Sequence, residues 1–487
     1  MKLFIFAWHP TPRMQGNTSA VKADNQKNNT MNYPYGKAAF FILLMALVTG
    51  TAHFAVSFRR QVEKPDLVMA IFAPNHEEAY RAVLGEFEEQ HGVKVQLQLV
   101  SQRALQSRLQ SALLTGADVP DLVELLEGTI GFFARGPLED VGFVDLTDRL
   151  HAEGIYDRMV PSRFSLWSSR GRIFALPNDV HPVTLAYRRD LIEELGIDVD
   201  QIETWDDFVA MGRSVVQDLT GDGNFDRYAL DTPLGGIAVI RILLLQRGGQ
   251  LFDEQGGVAF DTELTADTIA WYVRQTTGPD RIGYDAGWGQ SLAKAMNDGL
   301  VLFYFCPDWR TKQFEMDVPN LKGKLGLMPL PAWEPGGRRT STWGGTGLAI
   351  TKASERQELA WELAKFLYLN EEELSARFRA TNIISPLKDS WSAPVLDEER
   401  AFYGGQAIGR LLADLAPQTP PTYISPYSNL AQNKLAEVYL GAVAYYNRHG
   451  EAGLKEHIRK ELTAQADYVR RVIDRNVFLQ TDEGGAQ

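Results

Sequence analysis

Short, uninterrupted apolar runs alternate with amphipathic helical segments early in the chain, and this alternation constrains the fold more than any other feature. Residues 67–72 are apolar throughout, as expected of a strand buried in a parallel sheet. Helical spacing of apolar residues follows over 77–90, and strand-like alternation over 93–100. The pattern is that of a βαβ unit, so the sequence predicts an open α/β sheet.

The same order of segments is repeated further along the chain. A helix is predicted over 105–114, a strand over 122–126 and a helix over 129–134. Open α/β sheets bind ligands at the carboxyl ends of their strands. The loops around 72–76 and 124–128 are therefore expected to face a binding cleft.

The remainder of the 487 residues is mainly helical, with a late return to strands. Strands are predicted over 301–305, 325–328 and 348–350, after a long helical excursion and before further helices. The predicted helices cover 190–195, 205–219, 234–247, 266–275, 291–298, 359–369, 430–447 and 454–473. A chain of this size forms one large or two medium folded units, and the late return to strands predicts two lobes interleaved in sequence.

Charge and cysteine content exclude several classes of protein. The net charge of -13, without a basic run, disfavours nucleic-acid binding. Cys306 is the single cysteine, so an intrachain disulfide and cysteine-rich metal sites are excluded. We expect its thiol to be buried among apolar residues.

The N-terminus carries the information on compartment. Residues 38–58 are uncharged and long enough to cross a bilayer, which predicts an export signal or a membrane anchor within an N-terminal segment 1–60. The polar stretch 1–30 is interpreted as a mis-assigned start, the true one being Met31, or as a disordered tail. No cysteine lies directly after the apolar run, so a lipoprotein is not expected.

Motifs for the common catalytic classes are absent from the sequence: the serine-hydrolase elbow, the phosphate loop and the H-E-x-x-H metal site. His181 lies beside Asp179 in a predicted cleft segment, which suits binding or structure better than catalysis. A glycosidase using a pair from Glu124, Glu127 and Asp179 stays open as an alternative, since two carboxylates across a cleft are what such an enzyme needs. We expect no enzymatic activity and no catalytic residue.

One acidic loop resembles part of a calcium-binding loop. Asp218, Thr220, Asp222 and Asp226 occupy the spacing of calcium ligands, with glycine at 223. Ala229 stands where the bidentate glutamate belongs, so a plain Asp/Gly surface turn is the alternative. Calcium is therefore the only cofactor considered.

Tryptophans in predicted loops suggest the class of ligand. Trp288, Trp309 and Trp343 lie near glycine or proline rather than on helix faces. Sugar rings present flat C–H faces that stack on aromatic rings, together with hydroxyls that need polar partners. These tryptophans are therefore candidates for carbohydrate binding, the alternative being that they fill the core of a lobe.

Several segments, in order and spacing, resemble the extracellular solute-binding family that includes maltose-binding and other sugar-binding proteins of ABC importers. The resemblance covers about 67–473. Its carriers are FEEQHGVKV at 87–95, PDLV at 120–123, ALPNDVH at 175–181 with LAYRRD at 185–190, TWDDF at 204–208, AMNDG at 295–299, PDW at 307–309, GGTGLAITK at 344–352 and AWELAKF at 360–366. Tyr187-Arg188-Arg189-Asp190 replaces the family's usual Tyr-Asn-Lys-Asp, so the identity of the ligand is not carried over.

This resemblance implies a two-lobed periplasmic-binding-protein-like fold of type II, with interleaved lobes joined by hinge crossovers. It implies a first lobe of 66–180 plus 306–342, a second of 181–305 plus 343–475, and a C-terminal tail at 476–487. The ligand-binding residues it implies, together with the aromatic candidates, are Asn75, Glu127, Asp179, His181, Trp288, Trp309, Trp343, Gly344, Gly345 and Tyr427.

The resemblance also implies a function, that of the substrate-binding component of an ABC-type sugar importer. It would act as a monomer outside the cytoplasm, secreted or tethered by its N-terminal helix, and deliver a carbohydrate to membrane permease subunits by hinge closure. Receptors for a polyol phosphate, a polyamine or iron, and a sensor coupled to a membrane kinase, are the alternatives.

Overall fold

The computed structural model describes residues 36–59, 65–233 and 237–480. The chain divides into two compact units, Met1–Lys64 and Pro65–Gln487. The expectations for residues 1–35, including a start at Met31, lie outside the described residues, as does 481–487 of the predicted C-terminal tail. In the first unit a helix, α1 (Gly36–Arg59), covers the apolar segment. Nowhere in the described ranges does a helix reach the length and apolar content needed to cross a membrane.

Helices account for a larger share of the second unit than strands do. In chain order they are α2 (Pro74–His91), α3 (Gln102–Thr115), α4 (Thr129–Phe133), α5 (Thr147–Ala152), α6 (Ile155–Arg158), α7 (Pro161–Phe164), α8 (Arg189–Glu194), α9 (Trp205–Val215), α10 (Ala238–Gln246), α11 (Glu263–Thr276), α12 (Gln290–Asp298), α13 (Asp308–Asp317), α14 (Gln357–Leu369), α15 (Glu371–Thr381), α16 (Ile408–Leu415), α17 (Ser428–His449), α18 (Leu454–Ile473) and α19 (Val477–Gln480).

The strands are short, as is usual for sheets flanked by helices. They are β1 (Leu67–Ile71), β2 (Val95–Leu99), β3 (Leu122–Leu126), β4 (Ser168–Ser169), β5 (Arg172–Ile173), β6 (Leu176–Pro177), β7 (Val183–Arg188), β8 (Tyr228–Asp231), β9 (Gly283–Tyr284), β10 (Val301–Pro307), β11 (Leu325–Pro329) and β12 (Thr346–Ile350).

Local sequence signals explain where helices begin and end. The Thr204 hydroxyl and the Asp207 carboxylate cap the start of α9 reciprocally, as a capping box. This helix ends at Val215, earlier than the predicted 219, because Val216 takes up an extended backbone conformation. Gly116 ends α3 with a positive φ of 70°, which glycine adopts without steric cost.

The first five-stranded sheet has the order β2-β1-β3-β12-β6. The strands β1, β2 and β3 are parallel, as the βαβ pattern predicted, and β12 runs antiparallel to both β3 and β6. Its core includes the buried side chains of Leu67, Phe87 and Trp361. Trp361 belongs to α14, so a helix from late in the chain covers this early sheet.

The second five-stranded sheet has the order β11-β7-β10-β8-β9. Its central strand β10 pairs antiparallel with β7 and parallel with β8. Cys306, in β10, is buried as expected, and burial raises the pKa of its thiol. The largest apolar core of the molecule includes Trp205 and Phe305 from this half, together with Leu435 and Leu462 from α17 and α18.

The predicted lobe boundaries are wrong for two segments. Residues 306–342 were expected in the first lobe, but β11 pairs with β7 in the second sheet. Residues 343–475 were expected in the second lobe, but β12 pairs with β3 in the first sheet, where α14 and α15 also pack. The later part of this segment is in the second lobe as expected, because α17 and α18 pack in its core. The chain leaves the first sheet after β6, forms β7 to β11 in the second sheet, and returns to the first sheet at β12. The return to the first sheet therefore comes after β11, not before it as predicted.

Candidate ligand-binding site

A cavity of about 250 Å³ opens where the carboxyl end of β3 faces helix α10 and the loop before α17. It is therefore lined by both halves of the second unit. Its lining residues are Gln102, Gln106, Leu126, Glu127, Gly128, Thr129, Arg241, Leu244, Leu245, Gly249, Gln250, Leu251, Thr422, Tyr423, Ile424, Ser428, Asn429 and Gln432. The predicted loop 124–128 thus contributes Leu126, Glu127 and Gly128 to this cavity, at the carboxyl end of a parallel strand.

Glu127 and Arg241 join the two halves across this cavity. Two contacts link the carboxylate to the guanidinium, from Nη1 to Oε1 at 3.2 Å and from Nη2 to Oε2 at 3.4 Å. Burial alone would raise the pKa of Glu127, but the charge and hydrogen bonds of Arg241 outweigh it and lower the pKa. The backbone N–H of Glu127 also donates to the carbonyl of Gly345 at 2.9 Å, which fixes the base of the side chain.

The other polar side chains that line the cavity carry amide or hydroxyl groups. Gln102 and Gln106 stand one helical turn apart at the start of α3, and Gln250, Asn429 and Gln432 add further amides. Each amide both donates and accepts hydrogen bonds. Such a surface matches a ligand whose hydroxyl groups do the same.

Behind the cavity, the two crossovers are joined by a buried network around His181. Its Nδ1 atom lies 2.5 Å from Oδ1 of Asp308 and its Nε2 atom 3.0 Å from Oδ2 of Asp179. Burial alone would lower the pKa of His181, but the two carboxylates outweigh it and raise the pKa to about 9. Likewise His181 and Arg163 hold the pKa of Asp179 far below its ordinary value, against the effect of burial. The imidazole is therefore an imidazolium held between two carboxylates.

Asp179 and His181 direct their polar atoms to partners within the protein, and their role as ligand contacts stays a prediction. Their side chains are 1% and 4% exposed, and Asp179 also accepts hydrogen bonds from the backbone N–H and hydroxyl of Thr346. His181 adopts a positive φ of 55°, a conformation uncommon outside glycine. Both predicted site residues thus lie at the hinge, with their polar atoms occupied by the protein itself.

Arg163 is a buried cation that no pattern in the sequence identifies. Its guanidinium donates to the carbonyl and carboxylate of Asp179 in the first crossover. It also donates to the Thr342 hydroxyl and the Gly344 carbonyl in the returning crossover. A Cβ atom at Gly345 would lie 2.5 Å from Cδ1 of Leu166 and 2.9 Å from Nη2 of Arg163, so any larger residue there would force these two side chains to shift.

The three candidate tryptophans are brought together by the fold. Trp309 and Trp343 lie with ring centroids 5.4 Å apart, and Trp288 is 6.4 Å from each. The buried guanidinium of Arg310 lies 4.9 Å from the ring of Trp288, and the indole N–H of Trp309 donates to the carbonyl of Trp343. Trp288 is 55% exposed, so it presents an accessible aromatic face.

Comparison with known proteins bears directly on this architecture. Residues 73–373 match the family described as bacterial extracellular solute-binding protein. The chain belongs to this family. The resemblance inferred from the sequence is thereby confirmed.

Relatives and solved structures agree with the family assignment. The solute-binding protein described here is 27% identical to an arabinooligosaccharide-binding protein of Halalkalibacterium halodurans, over 76% of this chain and 83% of the relative. It is 25% identical to an arabinooligosaccharide-binding protein of Bacillus subtilis, over 79% and 89%. The sugar-binding protein MalE of Xanthomonas citri shares the fold, with a TM-score of 0.66, 18% identity and coverage of 84% and 99%. The predicted two-lobed fold of type II is confirmed.

Two further predicted site residues of this solute-binding protein lie near the cavity or on the first lobe. Tyr427 precedes Ser428 and Asn429, which line the cavity, and its ring lies 5.7 Å from the guanidinium carbon of Arg135. Asn75 is half-buried in the first turn of α2 and is not among the residues lining the cavity. Their roles as ligand contacts stay predictions.

The acidic loop at 218–226 is a hydrogen-bonded turn. The Asp218 carboxylate accepts backbone N–H bonds from Gly221 and Gly223, and that of Asp226 accepts them from Leu219 and Thr220. Within the described ranges, no group of three or more His, Cys, Asp or Glu side chains is arranged to hold a metal ion. This geometry supports the Asp/Gly turn, and calcium binding stays a prediction.

Proposed function

We propose that this chain is the substrate-binding component of an ABC-type sugar importer and captures a neutral oligosaccharide in the cavity between its two lobes. The observation that carries the proposal is the polar lining of that cavity by amide and hydroxyl side chains from both lobes. Sugar hydroxyls donate and accept hydrogen bonds in the same way, so each amide can bind two of them. The exposed face of Trp288 offers a stacking surface for a sugar ring outside the cavity.

The names of the relatives support the same class of ligand. Two of them are arabinooligosaccharide-binding proteins, and each is matched over more than three quarters of this chain. The cavity of about 250 Å³ falls just below the range of about 300–1,000 Å³ usual for ligand pockets. An oligosaccharide longer than one or two rings must therefore extend out of the cavity or hold the lobes further apart.

Capture by hinge closure follows from the lining of the cavity. A ligand that contacts Gln102 in one lobe and Gln250 in the other gains both contacts only when the lobes are close together. It therefore shifts the equilibrium toward the closed form by its difference in affinity for the two forms. The crossovers held by Arg163 and His181 are the places where the backbone rotates.

The proposal places the lobes outside the cytoplasm, where permease subunits in the membrane receive the closed form. The family is extracellular. The apolar segment 38–58 would supply the export signal or the tether.

The alternative function of a carbohydrate-active enzyme has little support from the three carboxylates named for it. Glu124 is fully buried and bonded to His76 and Tyr80. Asp179 is buried in the hinge, and Glu127 is paired with Arg241. A glycosidase needs one carboxyl group free to donate a proton and a second free to act on the sugar or on water. The family and the relatives are binding proteins.

The experiment is a thermal-shift screen with mass analysis of the recovered ligand. The protein is heated with arabinotriose, lactose or maltotriose, and in parallel with spermidine, glycerol phosphate or ferric citrate. A ligand at a hundred times its Kd adds about 2.7 kcal/mol to the free energy of unfolding, so a true ligand raises Tm. A response to a sugar that is recovered intact supports the proposal. A response only to a non-sugar, or release of shorter sugars, contradicts it.

A further inference from the structure

Arg241 is a charged residue in an otherwise apolar helical turn. It stands within AVIRILLLQ of α10, whose neighbouring residues Ile240 and Ile242 are buried in the core of the second lobe. Its side chain is 14% exposed. A cation with so little of its side chain exposed is costly unless an anion compensates it.

Glu127 supplies that anion from the opposite lobe. Among the described lining residues of the cavity, Glu127 and Arg241 are the charged ones; the others are amides, hydroxyls, glycines and aliphatic side chains. The nearby cations Arg163 and His181 are paired with the carboxylates of Asp179 and Asp308. The negative charge of Glu127 is therefore the one that balances Arg241.

We propose that Glu127 is a specificity-determining residue, which neutralises Arg241 and thereby restricts the cavity to uncharged sugars at the expense of uronic acids. The proposal rests on the function proposed above and names the ligand charge that the site accepts. A neutral sugar can donate a hydroxyl hydrogen bond to Glu127 and accept one from Arg241 while the pair stays intact. A uronic acid has to displace Glu127 from the guanidinium, and its own carboxylate then faces that of Glu127.

Rejection of the wrong ligand by a repulsive charge is a common basis of selectivity. Removing the negative charge should reverse the selectivity here. In Glu127→Gln the guanidinium of Arg241 faces the cavity without a counter-ion, and its planar fork matches a carboxylate with two parallel hydrogen bonds. The substitution keeps the size and shape of the side chain, so the cavity itself is preserved.

The test measures binding of arabinotriose and of digalacturonate by calorimetry at low salt. Four proteins are compared: wild type, Glu127→Gln, the double variant Glu127→Gln/Arg241→Gln, and Glu451→Gln. Glu451 forms an exposed ion pair with Arg274 at 2.8 Å, so its substitution changes the net charge equally at a remote position.

The expected result is that wild type and Glu451→Gln prefer arabinotriose. Glu127→Gln should gain about tenfold or more in affinity for digalacturonate, since hydrogen bonds to charged groups are the strong ones. Added salt should weaken that gain, and the double variant should lose it. A selectivity for neutral sugar that is the same in Glu127→Gln and in wild type would overturn the proposal.

The two proposals fail in different ways. If wild type binds arabinotriose but Glu127→Gln gains no affinity for digalacturonate, the role of Glu127 is refuted and the sugar-binding function stands. If wild type binds neither probe nor any other sugar, the proposed function is refuted. Tighter binding of digalacturonate than of arabinotriose by wild type refutes the role of Glu127 without any variant.

Discussion

The Nδ1 atom of His181 lies 2.5 Å from the carboxylate of Asp308. His181 is part of the first crossover, where the chain leaves the first sheet. On the other side of the ring, Asp179 lies 3.0 Å from Nε2. The imidazolium therefore links the crossover to the first residue of α13, which follows the central strand of the second sheet. This link has a consequence for how stability depends on pH.

We expect the free energy of unfolding to fall as pH rises from about 6.5 to above 9. His181 has a folded-state pKa of about 9 against 6.5 for an ordinary histidine, so its contribution is complete below pH 6.5 and is lost above 9. The loss is roughly 3 kcal/mol for a shift of this size. Asp179 has a lowered pKa, so its own contribution is lost only at acidic pH and does not change in this window.

The measurement is urea unfolding of wild type and His181→Asn at pH 6.5 and 9.5. Asparagine tolerates the positive φ at this position and carries no charge, so the variant should be less stable at pH 6.5 and should lose less stability than wild type by pH 9.5. The loss that remains in both proteins comes from the buried Cys306 thiol, whose raised pKa keeps it protonated in the folded state alone. His91→Asn, at an exposed histidine, is the matched control. The same pH dependence in His181→Asn as in wild type would show that the His181 link does not stabilise the fold in this way.

Arg163 should be indispensable for the hinge. Replacing it with methionine leaves the buried carboxylate of Asp179 without one of its cations and frees the carbonyl of Gly344. Breaking a buried ion pair in this way costs about 3–5 kcal/mol. Urea unfolding should show this loss for Arg163→Met.

The control is Arg158→Met, which removes an arginine from an exposed pair with Asp389 at 2.8 Å. Exposed pairs contribute about 0–1 kcal/mol, so its unfolding curve should nearly match that of wild type. Equal losses in the two variants would show that the crossovers do not depend on Arg163.

Trp288→Ala should weaken oligosaccharide binding about three- to tenfold, the range expected for loss of one aromatic stacking contact. Because the side chain is 55% exposed, Tm without ligand should change little. Tyr468→Ala, at an exposed aromatic residue of α18, should leave both quantities unchanged. Binding by Trp288→Ala as tight as by wild type would assign the tryptophan cluster to packing alone.

The acidic loop gives a test of calcium binding. The carboxylates of Asp218 and Asp226 already accept backbone N–H bonds, so Tm should be the same in calcium and in chelator. Asp218→Asn weakens these bonds and should lower Tm equally in both buffers. A calcium-dependent rise of Tm that Asp218→Asn abolishes would instead establish the metal site.

The sequence predicted those features that local pattern determines. The apolar run at 67–72 and the alternation at 93–100 led to the parallel strands, because a strand buried on both faces is a continuous apolar run and a half-buried strand alternates. The predicted helix at 205–219 needed only its end corrected. The loop 124–128 was predicted to face a cleft because parallel strands present their carboxyl ends there, and the family resemblance singled out Glu127 within it.

Features that depend on distant parts of the chain were predicted less well. The sheet to which β11 and β12 belong is decided by pairing with strands far away in sequence, so the return crossover was misplaced. Arg163 carries no sequence signal that marks it as the buried partner of Asp179. Arg241 does carry a sequence signal, because it is a charge within an apolar helical segment. Gln102 and Gln106 carry another, because they lie in the first turns of the helix that follows β2.

The most direct test of the account is hydrogen exchange of the backbone amides with and without saturating arabinotriose. A sugar held in the cavity between the lobes should slow exchange in three segments that are distant in sequence and line this cavity: 102–106, 241–251 and 422–432. Helix α18, which contributes no residue to the lining described for this cavity, should exchange at the same rate in both samples. Slowing in only one lobe, or only outside these segments, while calorimetry confirms binding, would contradict a sugar held between the two lobes.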